Sequence, residues 1–231
     1  MGVLPDAWTW LTTGSNWSGE GGAWHRLGEH VYVSGTALLL ACAIALPLAL
    51  WLGHIGRGGA LAVNISNAGR AIPVFAVLAL FMLTPLRSAG YAPTIIALVL
   101  FAVPPLLTNA HVGMREVDRA VVEAARGMGM SGWQVFLRVE LPLAYPLLMT
   151  GLRSAAVQVV ATATIASMVG QGGLGRIITA GFNTFDTAQV VAGALLAALL
   201  ALLVEGVLIL ADRLIDPRRK SVSPRPARAS V

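Results

Sequence analysis

Five long apolar runs punctuate the chain, at about residues 31–51, 60–83, 93–112, 143–169 and 188–211. A bilayer core of about 30 Å needs about 20 helical residues to cross it, so each run has the length of a transmembrane helix. The reading is an all-α membrane protein with about five core spans. Proline falls inside several runs: Pro47 near the end of the first, Pro73 in the second, Pro104 and Pro105 in the third. The second run also holds Asn64, Asn67 and Arg70. Proline lacks a backbone donor and breaks helices, so this run is either one kinked span or two shorter segments.

The polar positions between runs set the orientation. Arg57 follows span one; Arg115, Arg119, Arg126 and Arg138 follow span three; Arg213, Arg218, Arg219, Lys220, Arg225 and Arg228 follow span five. The opposite joints hold Arg26, Arg87 and Arg176. Cytoplasmic joints collect Lys and Arg, so the N-terminus lies outside and the C-terminus inside. Residues 1–30 form an external interfacial segment: they lack the basic start of a signal peptide, and Trp8, Trp10, Trp17 and Trp24 suit the headgroup zone. The alternative for this segment is a mobile tail. Residues 31–213 form the membrane domain, and 214–231 a basic, disordered cytoplasmic tail that can touch anionic lipid.

Composition sharpens this picture. The chain of 231 residues is 56% hydrophobic and 12% charged, against about 25% charged in soluble domains, with a mean hydropathy of +0.74. Its net charge of +5 is spread beside apolar runs rather than gathered on one face as in a nucleic-acid binder. Lys220 is the one lysine and does not fit a Gly-Lys-Ser/Thr phosphate loop; nucleotide energy, if used, comes from another chain. Cys42 is the single cysteine, a small core or lipid-facing residue. His25, His30, His54 and His111 show no metal-ligand spacing, and His54 and His111 read as interfacial residues at inner span ends. No Ser/His/Asp grouping or paired carboxylate suggests catalysis.

The joint at residues 113–142 is the longest polar stretch between spans. Asp118 suits a helix N-cap, Val121, Val122, Ala124 and Ala125 give an apolar face, and Gly127 and Gly129 suit a helix end. Ser131 can cap a second short helix with Trp133, Phe136 and Leu137 on one face. The expectation is two short helices at the membrane surface.

The joint carries Glu123-Ala124-Ala125, three residues, Gly129, nine residues, Val139, one residue, then Leu141-Pro142. This resembles the coupling-loop signature of permeases of binding-protein-dependent ABC importers, with Val139 where Ile is usual. The resemblance implies the type I, methionine-permease-like fold and assigns ATPase coupling to Glu123, Ala124, Ala125, Gly129, Leu141 and Pro142. It implies as partners a second permease subunit, identical or related, two ABC ATPases that bind ATP and Mg, and an extracytoplasmic substrate-binding protein, in the bacterial inner membrane. This chain itself would bind no cofactor or nucleic acid. The phrases Arg70-Ala-Ile-Pro73, Glu123-Ala-Ala-Arg-Gly-Met-Gly-Met, Trp133-Gln, Val139-Glu-Leu-Pro-Leu, Gly151-Leu-Arg-Ser and Gly170-Gln-Gly-Gly-Leu-Gly175 are similar to the osmoprotectant class, which imports glycine betaine, carnitine, choline or proline. Methionine importers share part of this pattern and supply the alternative substrate. The turn Gly170, Gln171, Gly172, Gly173 and Gly175 would face the binding protein.

Ionisable groups at bilayer depth are expensive and turn to an interior or a partner. Arg70 is either pathway-facing or bonded to carbonyls freed near Pro73. Arg153 snorkels or braces the loop, and Glu205 can pair with it. Ser154, Gln158 and Thr162 recur every fourth residue as one polar stripe; in the resembled family this span lines the translocation path, while helix–helix hydrogen bonding is the alternative. With 6% aromatics, mostly outside the spans, selectivity for a quaternary ammonium solute is expected in the separate binding protein. An ion-driven secondary transporter is the different-class alternative, but the inverted repeats and broken helices in both halves that it predicts are not visible.

Overall fold

The computed structural model describes residues 2–71, 73–169 and 172–215, and among them every regular element is helical. The tail from residue 216 and the turn positions Gly170 and Gln171 lie outside the described residues, as does the Arg70 side chain.

Helix α1 (Val3–Thr12) precedes α2 (Ala23–His54), which starts eight residues before the apolar run because Trp24, His25, Arg26 and Glu29 continue its helix outside the bilayer. The second run is two helices, α3 (Gly59–Ala71) and α4 (Val74–Met82), with Pro73 capping α4. Helix α5 (Ala92–Arg115) keeps Pro104 and Pro105 in its interior, as membrane helices do where neighbours satisfy the freed carbonyls. Among the described residues four helices are long and apolar enough to span on their own, and neither α3 nor α4, the halves of the second run, is one of them.

The bundle is built on close approach. Ala37, Ala41, Ala45 and Ala49 of α2 are all fully buried, one per turn, and Gly53 continues the row. In lipid, helices associate by van der Waals contact, and small residues let backbones meet. A methyl on Gly53 would stand 2.5 Å from Met114 Cβ on α5. The α5 seam against α8 (Leu141–Val169) works in both directions: Gly113 lies under Ala144 and Leu147, and Gly151 lies under Asn109. Leu98, Leu106, Leu107, Val159 and Ala163 fill the core between the three helices.

On the outer side, α9 (Gly175–Thr184) packs on α10 (Thr187–Ile215). Helix α1 lies on α10 as well. Trp10 and Trp17 are packed there beside Leu174 and Ile177, and Trp17 donates its indole N–H to Leu11 O at 2.7 Å. Of the four tryptophans expected as interfacial anchors, only Trp8 and Trp24 are exposed. Leu195, Leu199, Leu203, Val207 and Leu210 leave α10 with an open apolar face.

Candidate functional site

The inner joint begins at α6 (Arg119–Gly127), where Asp118 accepts the Ala120 N–H at 2.9 Å, as its type predicts. Val122 and Ala125 are buried against Met114, Val135 and Ala144. Glu123, Ala124 and Val121 are exposed, so the apolar residues of α6 divide between two faces rather than forming the single face expected. Gly129 ends the element at φ 85°, a conformation that strains residues with a Cβ.

The second half of the joint departs from expectation. Ser131 and Gln134 form a reciprocal capping box on α7 (Gly132–Val135), but α7 is not a separate surface helix. It continues through a π-helical turn (Phe136–Glu140) into α8, making one helix of 38 residues from Gly132 to Val169. Pro142 cannot donate to the carbonyl four residues back, and its ring crowds that carbonyl; a wide turn just before it lets the helix pass. Leu141 and Pro142 therefore belong to the long α8 helix itself. The inward residue is Val135, fully buried, while Trp133 is 67% exposed and stacks on Phe136.

A carboxylate–histidine hydrogen bond missed in the sequence pins this turn. Glu140, almost fully buried, pairs with Nδ1 of His54 at the end of α2, and Phe136 meets the His54 ring edge to face. His54 is thus a bridging residue rather than a simple interfacial one. Glu140 stands two residues before Pro142, and a histidine 86 positions away offers no local signal.

Midway along α8, Ser154 and Gln158 line a groove of about 830 Å³ between α8 and α10, together with Arg153 and Glu205. Arg153 Nε donates to Glu205 Oε1 at 3.1 Å and its Nη2 reaches the same oxygen, so the two charges expected to pair do so. Thr162 is half-buried one turn further out and does not line this groove.

At the outer end, Gly172, Gly173 and Gly175 are buried rather than turned to a partner. Glu29 Oε2 accepts the Gly173 N–H at 2.9 Å, and His30 Nδ1 accepts the Leu174 N–H at 3.2 Å while its Nε2 lies 3.0 Å from Val160 O. That pattern sets the neutral ring with its proton on Nε2. Gly172 and Gly173 take positive φ of 76° and 92°. A methyl on Gly175 would stand 2.0 Å from Thr164 O and 2.1 Å from Ser167 Oγ. These glycines seat the turn in the bundle; Arg176 is the exposed neighbour. Tyr91 donates its hydroxyl to Glu29 Oε1 at 2.9 Å, and this bond to a carboxylate holds the Tyr91 phenol above its ordinary pKa.

Comparison with known proteins agrees with this architecture. The family model described as "Binding-protein-dependent transport system inner membrane component" matches residues 45–221. The chain is 34% identical over 194 residues to the glycine betaine/carnitine/choline transport system permease protein OpuCB of Bacillus subtilis (strain 168), covering 84% of this chain and 88% of that one. It is 35% identical over 197 residues to the carnitine transport permease protein OpuCD of Listeria monocytogenes, covering 85% and 87%. Among solved structures it is similar to a chain of the inward-facing MetNI methionine ABC transporter, with a TM-score of 0.70 and 22% identity, covering 82% of this chain and 94% of that one.

Proposed function

The chain belongs to the family of binding-protein-dependent transport system inner membrane components, and from that membership we propose that it is the permease subunit of an ATP-driven importer for methylated ammonium solutes such as glycine betaine, carnitine or choline. The observation that carries the substrate class is identity of about a third, over more than four-fifths of the chain, to permeases named for those solutes. Likeness to the methionine transporter rests on fold at 22% identity and carries no substrate.

The permease is a transport component and not an enzyme; ATP and Mg are handled by two ATPase subunits on separate chains. A second permease, identical or related, completes the path, and an extracytoplasmic binding protein delivers the solute. The exposed face of α6, with Glu123 and Ala124, is the docking surface for the ATPase: small side chains permit close approach, and Gly129 permits the turn. Closure of the ATPase pair draws two such surfaces together and rocks the spans as rigid bodies. The groove holding Ser154 and Gln158 supports a pathway role for this face of α8, because an ion pair open to hydrocarbon is costly.

The test is uptake of labelled glycine betaine, choline and methionine by the complete transporter in proteoliposomes, with and without ATP and binding protein. ATP-dependent accumulation of glycine betaine or choline, and not of methionine, is expected. Methionine uptake alone would overturn the substrate class, and uptake independent of ATP and binding protein would overturn the importer reading.

A further inference from the structure

Three aromatic rings and a carboxylate meet at the outer mouth of the bundle. Trp24, His25, Gly28, Glu29 and Tyr32 of α2, with Tyr91 from the turn before α5, line a shallow pocket of about 320 Å³. The Tyr32 and Tyr91 rings meet edge to face with centroids 5.9 Å apart. Trp24 leans on Trp17 at 4.9 Å, which steadies it. Trp24 is 64% exposed and Tyr32 58% exposed, so these rings remain open.

The two oxygens of Glu29 have separate duties. Oε2 accepts from Arg26 and from the Gly173 N–H, and neither of those residues lines the pocket. Oε1 accepts from the Tyr91 hydroxyl and lies 3.4 Å from His25 Nε2, and both of those residues do line it. One edge of the carboxylate therefore holds the outer turn while the other faces the pocket. Interfacial anchoring accounts for exposed Trp and Tyr, but not for their convergence on a carboxylate. Seating the turn accounts for Glu29, but needs no open rings.

A quaternary ammonium group cannot donate a hydrogen bond. It is recognised by aromatic faces and by a nearby negative charge. We propose that this pocket is a binding site for the quaternary ammonium group of the transported solute, holding it at the outer mouth after the binding protein releases it. The proposal rests on the substrate class stated above. Because Glu29 also holds Gly173, the pocket is wired to the glycine turn and through it to the outer end of α8.

The experiment uses the complete transporter in nanodiscs without its binding protein, titrated with tetramethylammonium and with choline by calorimetry and tryptophan fluorescence. The control is 3,3-dimethyl-1-butanol, the neutral carbon isostere of choline. Saturable binding that the two cations share and the neutral alcohol does not compete for is expected. Tyr32→Ala should weaken it about 2- to 30-fold, the worth of one aromatic contact to a cation, and Tyr32→Phe, which keeps the ring face, should retain it. Absence of saturable binding, equal binding of the neutral alcohol, or an unchanged affinity in Tyr32→Ala would each overturn the proposal. Uptake of glycine betaine is measured on the same wild-type complex. Uptake without pocket binding overturns this proposal and leaves the substrate class standing. Pocket binding in a complex that carries no quaternary ammonium solute overturns the substrate class and with it the pocket's assignment to the transported solute, leaving only a site for a quaternary ammonium ligand.

Discussion

Removing His54 should cost more than removing its partner. Glu140 is 1% exposed at its side chain and His54 23%. The His54→Leu variant leaves a carboxylate in the packed joint between α2, α6 and α8 without its hydrogen-bond partner. Leaving a buried polar group unsatisfied costs about 1–3 kcal/mol, more where it is charged, and the near-complete burial of Glu140 places this one at the top of that range, at about 3 kcal/mol. For a chain of this size 1 kcal/mol moves the melting temperature by about 2–4 °C, so a fall of about 6–12 °C is expected. The Glu140→Leu variant leaves a part-exposed imidazole that water can reach, a cost of about 1–2 kcal/mol. The double variant, with two apolar groups in contact, should recover most of the loss relative to His54→Leu, since coupled sites are not additive. Thermal melts of the detergent-solubilised protein, followed by tryptophan fluorescence, read all three. The reasoning fails if Glu140→Leu is as damaging as His54→Leu, or if the double variant melts no higher than His54→Leu.

Gly175→Ala should lose at least about 3 kcal/mol, the top of the usual overpacking range, because a backbone carbonyl and Ser167 block the methyl. Gly206→Ala, which meets open space, should melt unchanged or higher, and equal melts for the two would refute the seating role of the turn. Glu123→Arg lies on the exposed face of α6, where substitutions shift stability by about 0.5 kcal/mol or less; it should elute and melt as the parent while solute uptake falls away from ATP hydrolysis, and normal uptake would remove Glu123 from the coupling surface.

What the sequence carried legibly were features set by local pattern. Hydropathy placed the spans, Pro73 marked the break between α3 and α4, Asp118 and Ser131 capped the helices their types suit, and two charges at depth on α8 and α10 met because each alone would be too costly. Three features were hidden. The α7–α8 continuity was masked because Leu141-Pro142 looks like an interruption, and only a wider turn reveals how a helix passes it. The burial of Gly172, Gly173 and Gly175 depends on Glu29, His30 and Ser167, and the link to Glu29 crosses 144 positions. Likewise the division of α6 between inner and outer faces is decided by Met114 and Val135, which lie on other elements.

The unbroken course from Gly132 to Val169 has a mechanical consequence. At 1.5 Å per residue, 38 residues make a beam about 57 Å long, so tilting it by about 10° about its middle carries each tip about 5 Å in opposite senses. The lower tip emerges directly from the Ser131 cap, four residues past the end of α6, and the upper tip supplies the Thr164 and Ser167 floor on which Gly175 rests. A displacement of a few ångströms at one tip would thus reach the other along one continuous helix, and the π-helical turn at Phe136–Glu140 with Pro142 and Pro146 beyond it is where that helix can bend.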